Sequence, residues 1–173
     1  MALYPPIEES ADEVRAVLAP LRNSISVALF AHENAFSVGG IIRVAHSFLV
    51  REIIIIGTEP YYPKASMGMH RFESIRVFRD DEQFFEQVRG RLVWAVEKER
   101  ATRSVFDPRP FPTDVVFLFG SERGGLPSAV LDRSDEVIGL PMYGVNNSFP
   151  VSVAVGMVLS EWGRRHYGAG LAV

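Results

Sequence analysis

The chain has no cysteine in its 173 residues, which excludes disulfides, thiol nucleophiles and cysteine-ligated zinc. Its four histidines (His32, His46, His70 and His166) show no ligand spacing, so no metal is expected. No apolar stretch approaches the roughly 20 residues of a membrane span. The opening segment MALYPPIEESADEV lacks a basic region followed by an apolar run. A soluble, cytoplasmic protein with no membrane partner is therefore expected. There is no GxSxG, so a hydrolase elbow is unsupported. The missing Walker and GxGxxG patterns disfavour nucleoside triphosphate hydrolysis and a dinucleotide-binding domain. Lysine is scarce as well: sixteen of the eighteen basic residues are arginine, a residue suited to phosphate but also one that codon bias enriches. A net charge of −3 argues mildly against nucleic acid. The screening length of about 8 Å is short beside a radius of gyration near 16 Å, so a local basic patch matters more.

What the chain does have is regular alternation. Residues 7–22 predict an amphipathic helix, with a capping box at Ser10 and Glu13 and an apolar face of Ala11, Val14, Val17, Leu18 and Leu21. Strands are predicted at 25–30, 52–56, 74–78, 92–96, 115–119 and 137–140. Helices are predicted around Val38, Ile41, Ile42, Ala45, Phe48 and Leu49, from Asp80 to Gly90, from Ser128 to about Arg133, and after Ser148. Residues 58–70 read as an extended loop, and Pro108, Pro110 and Pro112 mark another connection. The strands are continuous apolar runs, which indicates a mostly parallel sheet with helices on both faces. The fold class is α/β, in one domain over 1–173 with residues 1–24 as an N-terminal helical extension.

Residues 137–165 form the stretch the rest appears built to serve. Ser148 suits an N-cap and Pro150 the first helical turn, where a missing N–H is harmless. Val151, Val153, Ala154, Val155, Met157, Val158, Leu159 and Trp162 cover most of that helix, so burial by the sheet and by a second subunit is expected. Three loops follow strands, at 32–40, 120–127 and 141–148. Ligands collect outside the carboxyl ends of parallel strands, so these loops are candidates for one shared site. Gly39 and Gly40 fit either close backbone approach or plain packing. Gly120, Gly124 and Gly125 fit either a backbone cradle or an ordinary turn. Arg43, one turn into an apolar helix, either aims its charge at the loops or is simply solvated.

Three segments, SVGGIIRVA (37–45), FLFGSERGGLP (117–127) and LPMYGVNNSFPVSVA (140–154), resemble in order and spacing the three motifs of the SpoU/TrmH family of SPOUT RNA methyltransferases. The stretch YYPKASMGMHRF (61–72) is similar to the family too. The resemblance implies S-adenosylmethionine as methyl donor and a ribose 2′-hydroxyl of tRNA or rRNA as acceptor. It implies a homodimer that builds its RNA site across two subunits, and a C-terminal trefoil knot. By the same resemblance Val96, Gly120, Glu122, Leu140, Met142, Ser148 and Phe149 bind the cofactor, and Arg43 and Ser148 are catalytic. Two positions depart from the family pattern: Ser37 stands where asparagine is usual, with Asn34 three residues earlier, and Pro150 replaces the asparagine of Ser-Leu-Asn. They leave two alternatives open: an RNA-binding scaffold without transfer activity, or an enzyme with a different acceptor. No separate RNA-binding domain is apparent, so the dimer surface itself is expected to grip RNA.

Overall fold

The computed structural model describes residues 10–30, 35–146 and 148–167. Seven strands form one sheet: β1 (Ser26–Phe30), β2 (Glu52–Ile56), β3 (Ile75–Phe78), β4 (Val93–Val96), β5 (Arg103–Ser104), β6 (Val116–Phe119) and β7 (Glu136–Gly139). Their order is β3-β2-β1-β6-β4-β7-β5, and every pairing is parallel. The helices are α1 (Ala11–Leu18), α2 (Ala35–Ser47), α3 (Asp81–Gln87), α4 (Ser128–Asp132) and α5 (Val151–Tyr167).

Runs such as EIIII and VFLF are apolar at every position because both faces of the sheet are covered. Successive side chains point to opposite faces. Val27, Leu29, Ile53, Ile55, Phe117 and Phe119 therefore pack with Ile41, Ile42 and Ala45 of α2 and with Val155, Val158, Leu159 and Trp162 of α5. Ala28, Ile54, Ile56, Val116 and Leu118 meet Phe84 of α3 and Val130 and Leu131 of α4 on the other face. The register (Val27 beside Ile53 and Phe117) keeps like-facing residues together. Slipping any strand by one residue would exchange the two cores.

Several elements differ from expectation for local reasons. The capping box at Ser10 and Glu13 is formed, but α1 ends at Leu18 and passes into a 3-10 turn, Ala19–Leu21, that contains Pro20. Only Val14 and Leu18 are buried, because so short a helix lays a single stripe on the body, and Val17 and Leu21 stay exposed. Residues 7–9 of the expected helix lie outside the described residues. The 58–70 stretch holds two 3-10 turns, Pro63–Ser66 and Met69–Arg71. The buried Ser66 ties them together: its hydroxyl donates to Pro63 O at 2.7 Å and lies 2.7 Å from His70 Nδ1. The first turn lies so flat on α2 that a Cβ at Gly39 would sit 2.4 Å from the Ala65 Cβ, so packing explains that glycine.

The proline-rich connection is clasped to α5. Arg165 donates to the carbonyls of Val105 (3.2 Å), Asp107 (2.7 Å) and Arg109 (2.8 Å), and the Trp162 indole donates to Pro112 O at 3.0 Å. Buried Glu161 accepts from Arg165 and Arg164, both at 2.7 Å, and fixes the Arg165 fork.

Candidate active site

The strands β6, β4 and β7 are neighbours, and their carboxyl ends (Phe119, Val96 and the Leu140 that follows β7) open into a cleft of about 460 Å³. This is the position where parallel sheets accept ligands. All seven expected cofactor residues, Val96, Gly120, Glu122, Leu140, Met142, Ser148 and Phe149, line it. So do Glu97, Lys98, Glu99 and Arg100, which sequence reasoning missed although they continue directly from Val96.

The second loop owes its shape to glycine. A Cβ at Gly120 would lie 2.2 Å from the Gly125 carbonyl carbon, because Ser121 and Gly125 pair as a two-bond antiparallel bridge. Gly125 itself has φ +60°, a conformation that side chains disfavour. The chain leaving β6 thus folds back at once, leaving main chain and short side chains at the rim. The bare Cα of Gly120 answers to its own hairpin first and to any ligand second.

Glu122 joins all three loop segments. Its Oε1 accepts from Ser37 Oγ at 2.7 Å and from the Val151 amide at 3.1 Å. The second bond corrects the expected cap. Helix α5 begins at Val151, and the Pro150 carbonyl accepts its first bonds from Val153 (2.9 Å) and Ala154 (3.0 Å). Pro150 therefore precedes the first turn, and Ser148 lies too far upstream to be the N-cap. A carboxylate from a distant loop takes up the first amide instead and complements the positive end of the helix. Ser148 uses its carbonyl to accept from Asn146 Nδ2 at 2.7 Å and lines the cleft. His32, Asn34 and Asn147 lie outside the described residues.

Arg43 is placed differently from the rest. Helix α2 starts at Ala35, so Arg43 is eight residues in, about 12 Å along the axis rather than one turn. It is exposed, does not line its own chain's cleft, and its guanidinium has no ion-pair partner among the described residues. Helices α2 and α5 touch where Gly40 faces Ser152 and Gly156 faces Val44. The all-round burial expected of α5 is not met within one chain: Val155, Val158, Leu159 and Trp162 are buried, while Val153 and Ser160 are exposed, as are Phe36, Arg43 and Ser47 on α2. A single sheet covers one side of a helix, and nothing among the described residues covers the other.

The cleft suits a nucleoside joined to an amino acid. Its volume is in the range of small-molecule sites. Val96, Leu140, Met142 and Phe149 give apolar walls, and the Gly120–Ser121 main chain, Lys98 and Glu122 supply polar groups. Among the described residues no group of histidine and carboxylate side chains is placed to hold a metal ion.

Several known proteins share this arrangement. The model of the SpoU rRNA Methylase family matches residues 24–160. A tRNA (guanosine(18)-2′-O)-methyltransferase of Thermus thermophilus is 28% identical over 163 residues, 91% of this chain and 84% of that protein. A tRNA (cytidine(34)-2′-O)-methyltransferase of Burkholderia cenocepacia is 28% identical over 145 residues, 79% of this chain and 92% of its own. A solved structure described as giving insight into 2-OH methylation of C/U34 on tRNA has a TM-score of 0.76 at 26% identity, covering 84% of this chain and 98% of that one. The AdoMet-bound rRNA methyltransferase of Sinorhizobium meliloti shares the fold at a TM-score of 0.74 and 24% identity; the match covers 88% of this chain and 60% of that longer one. The family match takes in all seven strands, the three loop segments and the first turns of α5, and on that ground the chain belongs to the SpoU rRNA methylase family.

Proposed function

We infer that the protein is an S-adenosylmethionine-dependent methyltransferase acting on a ribose 2′-hydroxyl of tRNA or rRNA. The observation that carries this reading is Glu122, which draws Ser37, the second loop and the start of α5 together beside one cleft. It also favours an active enzyme over a scaffold. Ser37, at the first departure from the family pattern, still reaches Glu122, and at the second, Pro150, the start of α5 is capped from outside the chain segment.

Val96, Gly120, Leu140, Met142, Ser148 and Phe149 would hold S-adenosylmethionine, whose sulfonium methyl is the group transferred. In the transfer the carbon–sulfur bond breaks as the ribose oxygen–carbon bond forms, and the hydroxyl proton leaves to solvent. The chain's part is positioning, which can supply much of such a rate. The Arg43 guanidinium offers hydrogen-bond donors and no acceptor, which does not suit a base. Its fork instead suits the phosphate beside the reacting ribose and the charge developing on oxygen.

We also propose a homodimer across the outer face of α2 and α5. The exposed Phe36 and Val153 and the small residues Ser152, Gly156 and Ser160 support it. Arg43 lies on that face, so in the dimer it serves the partner's cleft. The clasp of residues 105–112 over α5 supports the trefoil knot.

Labelled methyl transfer from S-adenosylmethionine to total tRNA and rRNA, followed by digestion to nucleosides, tests the function. A 2′-O-methylated nucleoside is expected. Binding of S-adenosylhomocysteine with no transfer to either RNA would overturn it.

A further inference from the structure

The loop between β7 and α5 carries a feature that binding a methyl donor does not require. Both of its feet are in the cleft, at Met142 and Ser148. Its tip stands clear of the protein: Tyr143 is 93% exposed and Val145 is fully exposed, with Gly144 between them. Beside the tip, Asn146 Nδ2 donates to Ser148 O at 2.7 Å. An aromatic ring is thus presented to solvent one residue from the site wall.

The surroundings narrow what the ring is for. Among the described residues of the tip only Val145 adds exposed apolar surface beside the ring, so the patch is far too small for a protein interface of about 800 Å² per partner. One tyrosine face does match one nucleobase. Duplex RNA shows its 2′-hydroxyls along a shallow minor groove, whereas an unpaired nucleotide can turn its ribose into a recessed cleft with its base splayed out of the strand. Aromatic side chains replace that lost stacking in proteins that grip single strands. An exposed aromatic pair, Phe36 and Tyr62, is less suited: the rings pack on each other with centroids 4.9 Å apart, and neither adjoins a cleft-lining residue in the chain as Tyr143 adjoins Met142.

We propose that Tyr143 is a base-stacking residue for the RNA substrate, receiving the nucleobase of an unpaired nucleotide at the methylation site, with Val145 against the base edge. This rests on the reading of the protein as an RNA methyltransferase. It adds a substrate feature, a looped-out or single-stranded target, and a residue to read it.

The test uses the full chain as wild type, Tyr143→Ala and Tyr143→Phe. The KM for RNA is measured in methyl transfer, and the Kd for a single-stranded RNA 10-mer by fluorescence anisotropy with S-adenosylhomocysteine present. Tyr143→Ala is expected to weaken both by roughly tenfold, the range of one lost stack, with S-adenosylhomocysteine affinity and Tm unmoved. Tyr143→Phe, which keeps the ring, is expected to recover both to within about twofold. Tyr143→Ala at wild-type KM and Kd overturns the proposal. So does Tyr143→Phe as weak as alanine, which would mean a hydroxyl contact, and so does a Tyr143→Ala that sediments as a monomer where the wild type is a dimer. If the wild type transfers no methyl yet loses RNA binding on Tyr143→Ala, stacking stands and the enzymatic reading falls.

Discussion

Two arginines show how differently the two working regions of this molecule use charge. Arg91 sits at the amino ends of the strands, where its guanidinium donates to Ser26 Oγ (3.0 Å), Glu52 (3.0 Å), Ser24 O (3.0 Å) and Asp114 (2.8 Å). Because all the strands are parallel, Ser26, Glu52 and Asp114 share that end, and Arg76 closes the cluster onto Glu52 at 3.3 Å. Arg43, on the outer face of α2, has no ion-pair partner among the described residues. Charge at the amino end holds neighbouring strands in register. On the α2 face it is left available. In a parallel sheet these are separate tasks, since ligands gather at the opposite end from the one where the strands begin.

The comparison can be broken at several points. The largest expected effect is at the carboxyl end. Gly120→Val places a branched side chain where even a Cβ would lie 2.2 Å from Gly125, so the hairpin must open. Binding of S-adenosylhomocysteine by calorimetry, and the Tm increase it gives the wild type, should both vanish. Retained binding would show that the cleft does not depend on this turn.

Next comes the amino end. Arg91→Ala leaves Glu52, whose side chain is only 13% exposed, with Arg76 at 3.3 Å as its remaining cation. Losing the bonds to Glu52, Asp114, Ser26 and Ser24 together should cost on the order of 3 kcal/mol, a fall in Tm of roughly 6–12 °C for a chain this size. Transfer by the folded variant at 25 °C should be unchanged. An activity loss without a stability loss would mean the two ends are coupled.

A smaller effect is expected from Arg43→Lys, which keeps the charge and removes the planar fork. Losing one charge-assisted hydrogen bond costs roughly 1.5–3 kcal/mol, at least tenfold in rate. Single-turnover transfer should fall by that factor while cofactor affinity holds. Wild-type transfer would take Arg43 out of the chemistry and leave it a general attractor of RNA.

The smallest is a pH effect at a third cluster. Glu73 is buried against Arg22 (2.7 Å) and His46 (2.7 Å). Burial alone would raise its pKa, but the hydrogen bonds from His46 and Arg22 and the Arg22 charge hold the carboxyl below its ordinary value. A lowered folded pKa means its stabilisation is present above the unfolded value of about 4.3 and lost as pH falls through the folded one. Urea stability should show no Glu73-linked change between pH 7 and 5 and drop below about pH 4, and Glu73→Gln should lessen that drop. An unaltered acid limb in the variant would assign the drop to other carboxylates.

Much of this architecture was legible in the sequence because it follows from local patterns. EIIII and VFLF could only be strands buried on both faces, and Ser10 with Glu13 announced α1. The seven residues named for the cofactor line one cleft, whereas Arg43 lies apart from it. What stayed hidden depends on contacts far apart in the chain. β5 is two residues long and exists because Ile138 and Gly139 lie beside it. The cap on α5 comes from Glu122, 29 residues upstream, so local spacing pointed to Ser148 instead. Arg43 was misplaced because Gly39 and Gly40 read as the start of the helix, whereas α2 is already helical from Ala35.

The strand order has a consequence for how the protein is made. β7 lies between β4 and β5 although it is synthesised after both. Until residues 136–139 leave the ribosome, one edge of β4 has no partner and β5 has nothing to pair with. An apolar strand with an open edge is the kind of surface that captures other unfinished chains. The clasp on α5 closes later still, since Trp162 and Arg165 follow every strand. Contacts so distant along the chain form slowly. The nascent polypeptide thus passes through a vulnerable interval that lasts until β7 and α5 are made, and the segment that ends it also brings Leu140, Met142, Ser148 and Phe149 to the cleft.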